Sequence, residues 1–129
     1  MYSFTVKTNG KEELVDISSQ VQQYVRDSGK NEGICCVYTP HTTAGITINE
    51  NADPTVQKDI LKGLAHLKLE SVRFLHMEGN SPSHVKSSII GCSEMLLVEN
   101  GKLVLGTWQG IYFCEFDGPR TRKVMVKFA

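Results

Sequence analysis

Between residues 95 and 105 the chain reads Met-Leu-Leu-Val-Glu, then Asn100-Gly101, then Lys-Leu-Val-Leu. A two-residue turn of this kind needs positive φ at both central positions, which Asn and Gly tolerate, and its twist matches that of the strands it joins. The spacing therefore predicts a hairpin of Met95–Glu99 with Lys102–Leu105. That commits the C-terminal third to sheet. Gly110–Phe116 and Lys123–Phe128 read as two further strands, separated by the turn Asp117-Gly118-Pro119-Arg120.

The first half mixes strands with helices. Tyr2 to Thr8 alternates, with Phe4 and Val6 on one face, and Asn9-Gly10 predicts a hairpin turn into Glu12–Val15. Asp16 reads as a helix N-cap, followed by a stripe of Ile17, Val21, Tyr24 and Val25 and stopped by Gly29. Gly33–Tyr38 and Gly45–Asn49 are short β-rich runs. Asp53-Pro54 starts a helix that Val56, Ile60, Leu61 and Leu64 carry to about His66. The stretch from Arg73 to Ser83 reads as an irregular loop. Ser83 then caps a short helix over His84–Ile90, closed by Gly91.

Together these elements predict an α+β class: mainly antiparallel sheet with two or three helices, in a single domain over residues 1–129. The helices do not suffice to cover the sheet, so an oligomer is expected. Fourteen Lys and Arg balance fourteen Asp and Glu, which argues against a duplex-DNA binder but leaves room for a small basic pocket. No apolar run approaches a bilayer span and no secretory signal pattern opens the chain, so no membrane contact and a cytoplasmic location are expected. Cys35, Cys36, Cys92 and Cys114 form no CxxC pair and read as reduced, mostly packed thiols.

Candidate chemistry gathers at element ends. His41 opens the loop between two strands, and His76 and His84 bracket the loop Met77–Ser83. Three imidazoles are the ligand count of a catalytic zinc site that keeps its fourth position open, although the spacing is not diagnostic. Surface or packed histidines are the plain alternative, and His66 fits a helix C-terminus. Gly79-Asn80 is either an anion nest or only a turn. Asp53 is a cap or, like Glu50, a carboxylate able to act as base or orient a histidine. Arg120 and Arg122 follow the Gly-Pro turn, where a guanidinium can clamp phosphate or merely solubilise. Trp108 with Gln109 is a ring-stacking wall or a packed tryptophan, and Glu115 faces a cleft or solvent.

Four long motifs occur in order: Pro40 to Pro54, His76 to Ser88, Leu105 to Ile111, and Glu115 to Arg120. They resemble the signature of the YjbQ-like family, also called secondary thiamine-phosphate synthases, across essentially the whole chain. The resemblance implies sheets packed around a threefold axis in a homotrimer, with polar clefts lined by histidines and a bound divalent metal. Its metal ligands are then His41, His76 and His84. Zinc suits three histidines, and magnesium is the usual partner of diphosphate. The implied reaction joins hydroxymethylpyrimidine diphosphate to thiazole phosphate and releases pyrophosphate. On that reading His41, Glu50 and Asp53 are catalytic. Thr42, Thr43, Asn49, Asn80, Lys86, Trp108, Gln109 and Arg120 hold a phosphorylated small molecule. The alternatives are a zinc-dependent hydrolase and a non-catalytic trimeric module for small anions. Gly91-Cys92-Ser93 departs from the family, which more often has proline or threonine before the serine.

Overall fold

The computed structural model describes residues 1–129. Its strands are β1 (Tyr2–Lys7), β2 (Glu13–Asp16), β3 (Gly33–Tyr38), β4 (Ala44–Glu50), β5 (Ser93–Glu99), β6 (Lys102–Leu103), β7 (Gln109–Glu115) and β8 (Thr121–Phe128). The helices are α1 (Ser18–Ser28), α2 (Pro54–Ala65) and α3 (Ser81–Ile90), with a 3₁₀ turn at Leu69–Ser71. All strand pairs are antiparallel. They form a five-stranded sheet ordered β1-β8-β3-β5-β6 and a three-stranded sheet ordered β2-β7-β4. The α+β expectation holds.

Asn100 and Gly101 take φ of 53° and 72°, the pair of positive angles their turn requires. The hairpin expected at Asn9-Gly10 does not form. β1 pairs with β8 while β2 pairs with β7, so the chain crosses from one sheet to the other there. Neither Asn9 nor Gly10 takes the positive φ that such a turn needs. β1 gains six paired residues on β8, more than the four-residue β2 offers.

One core cluster draws on both sheets and α1. Ile17, Val21 and Val25 pack with Val37, Ile46, Phe113, Val124 and Val126, as the helical stripe predicts. Gly29 closes α1 in the left-handed conformation; its N-cap is Ile17, one residue after the expected Asp16, whose carboxylate accepts the Ser18 N–H at 2.9 Å. Asp53 caps α2 by accepting the Thr55 N–H at 2.9 Å. The third helix begins two residues before the expected cap: Asn80 is its N-cap, and Ser83 lies inside it, donating to the Phe116 carbonyl at 2.6 Å. No residue of α2 is buried. The outer face of the larger sheet is also apolar, with Met95 72% and Leu97 61% exposed beside Ile34 and Tyr38. As expected, the helices leave sheet uncovered.

Candidate functional site

β3 leaves the larger sheet at Thr39-Pro40, and residues 39–43 cross to β4. This loop, the approach to α3 and the β7–β8 turn meet around a cleft of about 370 Å3 with no hydrophobic side chain in its lining. His41, Thr42, Thr43, His76, Asn80, His84 and Arg120 all border it, with Glu78, Asp117 and Arg122. The structure thus brings together residues predicted from three separate motifs.

Beneath the cleft lies a buried ion pair. Glu115 and Arg122 are 0% and 2% exposed. The Arg122 guanidinium grips both Glu115 carboxylate oxygens and donates to Thr43 Oγ1 at 2.8 Å. Glu115 also accepts from the Thr8 hydroxyl at 2.8 Å and the Asp117 N–H at 3.0 Å. Burial pushes its carboxyl up, but these hydrogen bonds outweigh burial and hold it below the ordinary value. Such a pair fixes Thr43 and the β7–β8 turn in place. The turn is also braced by Asp117, which accepts from Asn80 Nδ2 at 2.9 Å and from Arg120 Nη2 at 3.2 Å. The Asn80 bond, helped by Arg120 and Lys11, keeps the Asp117 carboxyl ionised below its usual range.

The imidazoles differ in setting. His76 and His84 meet edge to face, ring centres 5.4 Å apart. His41 instead accepts the Lys123 backbone N–H on Nε2 at 2.9 Å. No three His, Cys, Asp or Glu side chains are gathered as a metal-holding group. The Nε2 lone pair of His41 is taken up by β8, so the three-histidine ligand set does not fit these side chains.

Other expected residues lie elsewhere. The β4–β7 register sets Ala44 against Glu115 at one end and Glu50 against Gln109 at the other. Six residues of strand put Asn49, Glu50, Trp108 and Gln109 roughly 20 Å from the histidine cleft within one chain. There Asn49 accepts the Glu50 N–H, Gln109 Oε1 accepts the Gly106 N–H, and Trp108 is 62% exposed. Asp53 is spent on its cap. Glu50 and Asp53 therefore orient no histidine of their own chain, a correction to the catalytic set. Lys86 is also displaced: its ammonium is buried against Glu12 at 2.6 Å in a neighbouring cleft with Glu70. The structure adds Thr8, Glu78 and Asp117 to the site. For Asp117 the signal was its place in the Glu115–Arg120 motif.

Residues 2–129 match the family described as UPF0047 protein YjbQ-like. The chain belongs to this YjbQ-like family. It is 52% identical to a UPF0047 protein of Methanocaldococcus jannaschii over 127 residues, covering 98% of this chain and 92% of that one. It is likewise 52% identical to YugU of Bacillus subtilis, covering 95% and 93%. Among solved structures, an uncharacterised YjbQ/UPF0047 protein of Clostridium acetobutylicum superposes with a TM-score of 0.97 at 50% identity, each chain fully covered. A YjbQ-like protein of unknown function from Sulfolobus solfataricus gives 0.93 at 36% identity, covering 98% and 94%. The YjbQ-like fold thus carries the histidine cleft of this chain on a frame seen in several solved relatives.

Proposed function

We propose that the cleft binds the phosphate end of a phosphorylated small molecule, and that the protein is a transferase resembling secondary thiamine-phosphate synthases. The observation that carries this reading is the gathering of His41, His76, His84 and Arg120 around a cleft that no hydrophobic side chain lines. Arg120 spends its Nε and one Nη2 contact on Asp117, which leaves the rest of its fork for phosphate oxygens. The first turn of α3 borders the cleft through Asn80 and His84, and helix N-termini favour anions.

In the transfer, the pyrimidine CH₂–O bond breaks with its electron pair going to the diphosphate oxygen. The thiazole nitrogen lone pair forms the new C–N bond. Charge grows on the departing diphosphate, so Arg120, His76 and His84 act by stabilising it or giving it a proton. The test is thiamine phosphate formation by purified protein supplied with both substrates. His84→Ala is expected to lower the rate by about 100-fold, the lower end for losing an acid catalyst. A rate unchanged in that variant would remove the mechanism.

The bare sheet face and the unburied α2 support assembly into the homotrimer that the resemblance implies. Exposed apolar patches of this kind mark interaction surfaces. Light scattering is expected to give the mass of three chains, and Leu97→Glu to lower it. A wild-type mass of one chain would refute the trimer.

A further inference from the structure

The ladder around Lys123 is completed by side chains. β3 pairs with β8 only as far as Tyr38 opposite Met125, and Pro40 has no N–H with which to continue. Beyond that point the Thr39 hydroxyl donates to the Lys123 carbonyl at 2.9 Å, and the Lys123 N–H donates to His41 Nε2 at 2.9 Å. A main-chain amide can only donate. Nε2 must therefore carry a lone pair, and the single proton of the neutral ring sits on Nδ1.

We infer that His41 is a fixed neutral N–H donor, its Nδ1–H reserved for an anionic oxygen of the ligand, and neither a general base nor a metal ligand. This rests on the phosphate-binding reading of the same cleft. The ring borders the cleft, and its Nδ1 has no partner in the chain. Nor is it sealed in, since Asn80 Oδ1 is the one buried side-chain polar atom without a partner. The surroundings favour the neutral ring: burial lowers its pKa first, and the Arg122 and Arg120 charges add to this against Glu115. A second ring proton would set N–H against the Lys123 N–H. His76 and His84 have no such backbone contact, so proton transfer falls to them. A neutral donor recognises phosphate oxygens without itself exchanging a proton, and this suits a phosphate ester or diphosphate whose charge must be held while another group reacts.

The experiment is long-range proton–nitrogen NMR on uniformly ¹⁵N-labelled wild-type protein. Without ligand, His41 is expected to show an unprotonated, hydrogen-bond-accepting Nε2 and a protonated Nδ1. Inorganic pyrophosphate should move the Nδ1 signal, and Zn²⁺ alone should leave both nitrogens in place. An Nε2–H tautomer, or a metal-bound shift on either His41 nitrogen, overturns the inference. Pyrophosphate bound by calorimetry without any Nδ1 change overturns the donor role while leaving the cleft reading intact. No pyrophosphate binding at all removes both, even if the tautomer is as stated. His41→Ala should weaken pyrophosphate binding about tenfold, the loss of one hydrogen bond to a charged group. His41→Gln keeps an acceptor for Lys123 and a donor for the anion, so it should recover most of that loss. A base or a metal ligand would not be rescued by glutamine.

Discussion

Glu115→Ala is expected to destabilise the protein by about 3–5 kcal/mol, because it strands the Arg122 charge in a site from which water is excluded. The measurement is urea unfolding, with the midpoint falling and the slope unchanged. Exposed surface pairs are worth about 0–1 kcal/mol, so a loss in that range would mean the pair is hydrated after all. The double substitution Glu115→Leu with Arg122→Met should recover much of the stability, since removing both charges removes the stranded one. It should also lose affinity for pyrophosphate, because Thr43 and the β7–β8 turn lose their brace.

The same pair sets an acid limit. The folded-state pKa of Glu115 lies below its ordinary value of 4.5. Its contribution is then fully present above the unfolded pKa and is lost as pH falls through the folded one. Wild-type stability should therefore decline below about pH 4.5, and a Glu115→Gln variant should lack that part of the decline. Equal acid sensitivity in both proteins would place the linkage on other carboxylates.

The second large effect is expected at Gly118. A Cβ there would clash with the Gly10 carbonyl oxygen and lie 2.8 Å from Glu115 Cγ. The first neighbour is backbone and the second belongs to the buried pair, so neither yields easily. Gly118→Ala should cost about 1–3 kcal/mol by overpacking and displace Asp117 and Arg120 together. Pyrophosphate affinity should fall in the same variant. Gly63 is the matched control, a helix-interior position in α2 with nothing within 4 Å of an added Cβ. Gly63→Ala should raise stability by about 0.5–1 kcal/mol. A Gly118→Ala protein as stable as wild type would show that the turn can shift away from Gly10.

Much of the local structure was readable because its signals act over a few residues. Asn100-Gly101 tolerates the positive φ of a two-residue turn and takes it between strands that pair, and Asp53-Pro54 starts α2 with a cap and a ring already set for helix. The stripe of Ile17, Val21 and Val25 likewise finds the core it needs. The cleft was legible in part. His41, His76 and His84 stand at element ends and do border one cavity. Their chemistry was not legible, because which ring nitrogen is free depends on Lys123, a backbone donor in β8 far along the chain.

What the amino acids determined alone is the identity of most strands and helices and the stock of donors available to a site. The tertiary structure decided partners and ends. Asn9-Gly10 has the composition of a hairpin turn, yet β1 and β2 join different sheets, because pairing follows which apolar faces are buried together. The run from Pro40 to Pro54 is continuous in the chain, but β4 carries its two parts to opposite ends of the smaller sheet. His41 is left beside Arg122 and Glu50 beside Gln109. Backbone preference is settled among neighbours in the chain, whereas register is settled by packing between segments distant in it, and it is register that places Glu50 beyond the reach of its own chain's histidines.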